Sequence, residues 1–332
     1  MSKAAALATS VALMASVVLS GVCLPRAATA QSEDPPWKWS AEQMRERVGR
    51  VRAGRDLKPD SWPGGNRVAV SLSFDVDTEP VWISFVGQET PSYMSRGEYG
   101  ARAGFRRVME LLDEQKIPAT FFVPAATFML HENVAEALKS RPQHEVGFHS
   151  FIHENPLKLD PAEERAVYEK AIAYVTEAVG RRPVGFRSAA WDLSEATVDI
   201  VRDLGFLYDS SLMADDSPYQ LIAGGEETPL VELPVEWILD DWPYFQLAWS
   251  ANLHGLRNPD DVYAIWKSEF DEAYKEGSTF ILTMHPQVIG HRHRMAMLRR
   301  LVTYMQGREG VWFATHEAIV RHVIAEDAKK NP

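Results

Sequence analysis

From Arg67 onward the chain alternates between two kinds of hydrophobic pattern. Short runs rich in Val, Ile, Leu and Phe occupy 68–75, 119–123, 145–149, 184–188, 207–211, 230–234, 279–285 and 311–314, and each predicts a β-strand. Between most of them, 101–115, 162–179, 195–204, 259–275 and 294–306 repeat apolar residues at three- and four-residue spacing and predict amphipathic helices. Strands alternating with helices in this way build a parallel sheet, and seven or eight strands are enough to close an α/β barrel. Upstream, 31–66 is rich in Pro, Gly, Arg and Trp, with one short helical pattern over 41–52, and reads as an N-terminal arm. The expected barrel covers 67–323 and leaves 324–332 as a C-terminal tail. Nothing repeats at a fixed period, which excludes a solenoid.

The first strand also predicts which face is which. Val68, Val70, Leu72, Phe74 and Val76 alternate with Ala69, Ser71, Ser73, Asp75 and Asp77. Period-two geometry puts the large apolar set on one face and the small and acidic set on the other. The apolar face is expected to meet outer helices, and the small residues to fill a narrow interior. Asp75 and Asp77 then aim into the mouth at the strand's C-terminal end, where parallel barrels keep their chemistry.

Residues 1–30 read differently. Lys3 precedes an apolar and small-residue run over 4–24, and Ala28-Thr29-Ala30 forms an A-x-A processing site before Gln31. That is the pattern of a cleaved secretory signal peptide, so the protein is expected to be exported, to the periplasm or the outside. No other stretch is apolar for the ~20 residues a span needs, so no stable membrane span is expected after cleavage. Cleavage leaves 33 Lys and Arg against 46 Asp and Glu, an acidic balance that argues against nucleic acid as partner. The single cysteine, Cys23, leaves with the leader. Disulfides, thiol catalysis and cysteine zinc sites are thereby excluded, and any metal must be held by His, Asp and Glu. With 45% hydrophobic residues, the chain can hold itself together by core burial.

Two carboxylates on one face of a buried strand are costly unless something positive sits beside them. A second strand end supplies the partner: 145–149 runs into Phe148-His149-Ser150-Phe151-Ile152-His153. Histidines four apart on one helical turn can share a metal. One Asp with two His makes a three-ligand set with a position left for water, and the other carboxylate can take the water's proton. A group across the site must protonate the departing atom, and His285, at the end of the apolar strand 279–285, is the candidate. His291 and His293 lie in a polar, Arg-rich stretch and read as solvated; His131, His144, His254, His316 and His322 read as structural. Oxygen and imidazole donors accept zinc first, and also cobalt, nickel or manganese.

These residues carry a family resemblance. Phe74-Asp75-Val76-Asp77 resembles the first motif of the NodB-type polysaccharide deacetylases (carbohydrate esterase family four), and His149-Ser150-Phe151-Ile152-His153 the second. Gly185-Phe186-Arg187 resembles the third and Leu282-Thr283-Met284-His285 the fifth. Within that superfamily, 144–156, Tyr208-Asp209-Ser210-Ser211-Leu212-Met213 and Leu239-Asp240-Asp241 look closest to the branch of peptidoglycan deacetylase A-like proteins, cyclic-imide hydrolases and allantoinases. The resemblance spans roughly 67–323.

The resemblance implies an irregular (β/α) barrel of seven or eight mostly parallel strands and a hydrolase of non-peptide C–N bonds using one divalent metal. It implies Asp75 as general base, Asp77 with His149 and His153 as metal ligands, and His285 as general acid. Arg187 corresponds to the arginine that keeps the base ionised. Trp191, Trp237 and Trp242 are expected to wall the substrate groove, and either Asp240 or Asp241 to orient His285. The chain departs from the usual pattern in three places. Val76 separates the two aspartates, Ser188-Ala189-Ala190-Trp191 replaces a Pro-Tyr after the arginine, and Ser95-Arg96-Gly97 with Glu98 reads as a branch-specific loop over the mouth. Export favours an N-acetylated amino-sugar glycan as substrate; a cyclic imide or ureide is the alternative. A non-catalytic glycan-binding protein is the third reading, set against the presence of all five functional residues.

Overall fold

Val68–Asp75 is buried along its whole length and lies at the centre of the sheet. The computed structural model describes residues 34–248, 253–254 and 256–331, so the expected signal peptide lies outside the described residues. Before Arg45 the described chain contributes one 3-10 turn, Pro36–Lys38, and the start of the helix Ala41–Val48. From Arg45 onward it forms one body. Its strands are β1 (Val51–Asp56), β2 (Val68–Asp75), β3 (Thr120–Val123), β4 (Glu145–Phe148), β5 (Gly185–Phe186), β6 (Tyr208–Asp209), β7 (Tyr219–Ala223), β8 (Glu226–Glu232), β9 (Leu247–Ala248), β10 (Leu253–His254), β11 (Thr279–Met284) and β12 (Val311–Phe313).

The main sheet runs β1-β7-β8-β6-β5-β4-β3-β2-β11, with β12 beside the N-terminal half of β2. From β8 to β11 every pairing is parallel, whereas β1 and β7 add an antiparallel edge. The sheet is therefore mixed, and it curls into a half-barrel flanked by helices, the irregular barrel that the resemblance implies. Two of its strands carried no apolar alternation to announce them. β1, with the sequence Val-Arg-Ala-Gly-Arg-Asp, is an exposed edge inside the expected arm, and β7 is its partner. The short hairpin β9–β10 was likewise not expected.

Both faces of β2 do what its alternation predicts. Val68, Val70, Leu72, Phe74 and Val76 pack with Phe105, Val108, Leu298 and Leu301 of the flanking helices. Ala69 faces inward with Phe122, Tyr208, Leu233 and Ile281. The interior is narrow: a Cβ at Gly185 would lie 2.0 Å from the Tyr208 ring. The helix Pro161–Val179 shows how the outer layer is bounded, with a capping box from Asp160 and Glu163 and a left-handed Gly180 at its end. The helical pattern read at 101–115 divides into a π-helical turn, Gly100–Gly104, and the helix Phe105–Gln115. Gly104 explains the tight seam beside His285, because a Cβ there would lie 1.9 Å from the Pro286 carbonyl oxygen. Among the described residues no helix is long and apolar enough to cross a membrane.

Candidate active site

The site is assembled from the C-terminal ends of β2, β4, β5 and β11. Asp75 closes β2 and Asp77 follows it into a tight turn; both are buried. Arg187, wholly buried after β5, donates from Nη1 to Asp75 Oδ1 at 2.7 Å. Its remaining donors are also engaged. Nε reaches the Ser210 carbonyl at 2.9 Å, Nη1 the Ser73 hydroxyl at 3.0 Å, and Nη2 the Ser210 hydroxyl at 3.0 Å and His316 Nε2 at 3.3 Å. The guanidinium lies 4.1 Å above the Phe122 ring. His316 completes the cradle through a 2.8 Å bond between Nδ1 and the Ser71 hydroxyl, and burial with the Arg187 charge holds it neutral, well below its ordinary pKa. Thus the small interior positions Ser71 and Ser73 are hydrogen-bonding posts as well as space-savers. His316, read as structural from sequence, touches the arginine of the site, and no spacing along the chain linked the two.

His149 follows β4 and donates from Nδ1 to the Arg187 carbonyl at 2.9 Å, which fixes its ring and turns Nε2 toward Asp77 Oδ1, 3.4 Å away. His153 Nε2 lies 3.9 Å from the same oxygen. These ligand atoms of Asp77, His149 and His153 all lie within 4.8 Å of one another. The pair is not on a helical turn, as its spacing suggested. It sits on a loop in which Ser150 (φ 67°) and His153 (φ 61°) take left-handed conformations, and this strained bend brings the two rings 5.1 Å apart. Asp77 Oδ1 is buried and accepts no hydrogen bond among the described residues. A carboxylate oxygen without a donor, faced by two imidazole nitrogens, is a donor set that a divalent cation fits. Burial acts to raise the Asp77 pKa, but His153, His149 and His285 together hold it below the ordinary carboxylate range. Burial pushes His153 down to about 4, the neutral form a metal ligand needs.

His285 follows β11. Asp241 Oδ1 lies 2.7 Å from its Nδ1 and Asp241 Oδ2 accepts its backbone N–H at 3.0 Å, whereas Asp240 stands 3.7 Å away. The structure therefore separates the two candidates: Asp241 bonds the ring, and Asp240 accepts the Trp242 N–H and faces the cavity. Nε2 of His285 is left directed at the site, 3.7 Å from Asp77 Oδ2. Against the effect of burial, Asp240, Asp241 and Asp77 raise the His285 pKa well above its ordinary value.

Asp75, Asp77, His149, His153, Asp240 and His285 line one cavity of about 170 Å³. Its wall is aromatic: Trp191 and Trp237 pack at 4.3 Å, Trp242 stands edge-on to His285 at 5.1 Å, and Phe85 edge-on to His153 at 5.8 Å. Ala190 and Trp191 both adopt positive φ, near 57° and 56°, so the Ser188–Trp191 substitution for Pro-Tyr is a strained turn that presents Trp191. Phe85, from the irregular turn Val81–Val86, had no sequence signal. The stretch from Ser95 to Glu98 is not a loop over the mouth but part of the helix Pro91–Tyr99, since its residues continue the helix begun at Pro91. Of the two histidines read as solvated, His293 is exposed, whereas His291 is only partly so and stacks on Tyr99 at 4.5 Å.

Behind the strained turn lies a pair of buried acids. Glu232 Oε1 accepts the N–H groups of Ser211 and Leu212, each at 2.9 Å, while Oε2 is buried and without a donor among the described residues. Asp209 accepts the Ser211 hydroxyl at 2.6 Å, and that hydroxyl accepts the Ser188 N–H at 2.9 Å. Burial raises Asp209 to about 6 and, with the neighbouring Asp209 charge, Glu232 well above its ordinary value. Folded pKa values above the unfolded ones mean stability that is fully present below about pH 4 and lost as pH rises through about 6. Glu232→Gln keeps both backbone bonds and donates permanently to Asp209. It is expected to be more stable than the parent by about 2 kcal/mol at pH 8, a few degrees in Tm, and little different at pH 5. Thermal unfolding from pH 5 to 8 measures this, and parallel curves for both proteins would remove the pair as the source.

Residues 92–208 match the polysaccharide deacetylase family. The peptidoglycan deacetylase of Helicobacter pylori is 29% identical over 291 residues, 79% of this chain and 98% of that protein. The crystal structure of a putative polysaccharide deacetylase from Mycobacterium smegmatis is 33% identical and superposes with a TM-score of 0.75, covering 83% of this chain and 96% of that one. Puue allantoinase is 27% identical with a TM-score of 0.70, covering 82% and 94%. The chain belongs to the polysaccharide deacetylase family, within the NodB and carbohydrate esterase four superfamily. It is a hydrolase acting on carbon–nitrogen bonds.

Proposed function

We propose that the protein is a metal-dependent deacetylase that removes N-acetyl groups from an amino-sugar glycan after export, with 1–30 as the leader and 67–323 carrying the chemistry. One observation carries the reading. Asp75, Asp77, His149, His153 and His285 converge on a single cavity, with Arg187 fixing the first and Asp241 the last. Asp77, His149 and His153 would hold a divalent cation, with zinc the first choice and cobalt, nickel or manganese acceptable to the same donors. When bound, a divalent cation there supplies Lewis acidity to the amide carbonyl and to the attacking water.

The chain's own residues do the proton work. Asp75, paired with Arg187, takes a proton from the water that attacks the acetyl carbon. His285, protonated and held by Asp241 through Nδ1, gives its Nε2 proton to the departing nitrogen as the C–N bond breaks. The products are acetate and a free amino sugar. The aromatic wall offers flat faces to the C–H face of a pyranose and keeps bulk water from the reacting groups.

The second reading, hydrolysis of a cyclic imide or ureide, draws on the small size of the cavity, about 170 Å³ with four aromatic side chains around it, and on the likeness to an allantoinase. Incubating the zinc-loaded protein with N-acetylglucosamine oligomers and with a cyclic ureide separates the two. Acetate release from the oligomers is the expected result; ring opening with no acetate from any glycan would move the protein to the second reading.

A further inference from the structure

A second cavity, of about 480 Å³, shares two wall residues' contacts with the catalytic one. Gln287 lines it and donates from Nε2 to Asp77 Oδ2 at 3.4 Å, and Trp82 lines it while packing 5.7 Å from Trp242. Its polar lining has one sign. Arg96, His291 and Arg294 face it together with Gln246 and Gln287, and no Asp or Glu lines it among the described residues, in a chain of net charge −11.

The central group is Arg294, only 5% exposed. Its Nη1 and Nη2 donate to the carbonyls of Val288 (2.7 Å) and Phe245 (3.3 Å), and the guanidinium sits 4.6 Å from the Phe245 ring. Its Nε–H, however, is buried and has no acceptor among the described residues, and Gln287 Oε1 is buried without a donor. The carboxylate whose charge Arg294 feels, Asp241, is already committed to His285. Arg96 approaches with its guanidinium 4.3 Å over the Trp82 ring and bonds the Gln246 side-chain oxygen. The local field is positive enough that burial, Arg294 and the neighbouring cations hold His291 down to about 4. His291 is also the N-cap of the helix Arg292–Gln306, and its side chain makes no cap hydrogen bond to that positive helix end.

A buried guanidinium with an unspent N–H is costly, and a planar oxyanion is the group whose lone pairs match it. We propose that this cavity binds a carboxylate, borne either by a free small acid or by a remote part of the substrate. Arg294 and Arg96 are its cationic partners, and the helix end adds its dipole. Binding of the carboxylate stands independently of the deacetylase reading, and only the assignment of its source rests on that reading.

Succinate titrated calorimetrically into the zinc-loaded protein tests the proposal. Saturable binding is expected in the parent and in His153→Ala, which disables the catalytic centre, with Kd raised at least tenfold in Arg294→Met and Arg96→Gln. Arg96 is only partly buried, so its variant keeps the test open should Arg294→Met not fold. No saturable binding to the parent, undiminished binding to Arg96→Gln, or loss of binding in His153→Ala overturns the proposal. Where binding holds, the source follows from the ratio of KM values for carboxylate-bearing N-acetylmuramyl and neutral N-acetylglucosamine oligomers. A ratio that rises in Arg96→Gln assigns the carboxylate to the substrate, and an unchanged ratio assigns it to a free acid.

Discussion

Replacing Asp75 with Asn is expected to cut kcat by about 10²–10⁴-fold, the range that loss of a positioned general base produces, while leaving metal content unchanged. The expectation rests on two distances. Asp75 Oδ1 is spent on Arg187 at 2.7 Å, and Oδ2 stands 3.9 Å from His149 Nε2, outside the closest group of metal donors. Asn preserves shape and can still accept from Arg187, but it cannot take a proton from water. It also leaves the Arg187 charge less compensated in a wholly buried setting, so some loss of stability, of order 1–3 kcal/mol, should accompany the substitution. Metal analysis, circular dichroism and acetate release on the same preparation separate these effects. Turnover at the parental rate would take the general-base role away from Asp75.

Replacing His149 with Ala is expected to remove the metal itself, with affinity lowered by at least about 100-fold and activity lost with it. His149 is the most constrained of the three donors, because its Nδ1 bond to the Arg187 carbonyl leaves Nε2 no other direction than Asp77. The substitution also disconnects the metal group from the arginine cradle, so excess zinc should restore only part of the activity. Dialysis followed by metal analysis is the measurement. Full occupancy in the variant would refute the ligand set and, with it, the placement of the cation between Asp77 and the two imidazoles.

Together the two variants divide the site along its physical seam. On the proposed assignment, one removes a proton acceptor that lies outside the metal donor set, and the other removes a donor while leaving the proton acceptor on Arg187. If both behaved alike in metal content, the distinction between Asp75 and Asp77 drawn from their neighbours would fail.

Much of this arrangement was written in local patterns. The alternation from Val68 to Asp77 fixed the inner and outer faces of the central strand and put both aspartates at its mouth, because side-chain direction in a strand depends on position parity alone. The parallel core followed from strands alternating with helices, and the residues that meet in the cavity stood in short strand-end motifs that resemble a known family's. Those properties belong to neighbours along the chain, so the sequence by itself determined them. What only the tertiary structure decided depends on groups far apart in the chain. The antiparallel edge of β1 and β7 is made by backbone pairing and not by apolar rhythm. The choice of Asp241 over Asp240 for His285 is a difference of 1.0 Å across 44 residues. The linkage of His316 to Arg187 spans 129 positions. The bend that brings His149 and His153 together needs two left-handed residues that no helical spacing describes. Burial, finally, is a property of the folded whole, and it is burial that turns a pair of histidines and a carboxylate into an unsatisfied donor set.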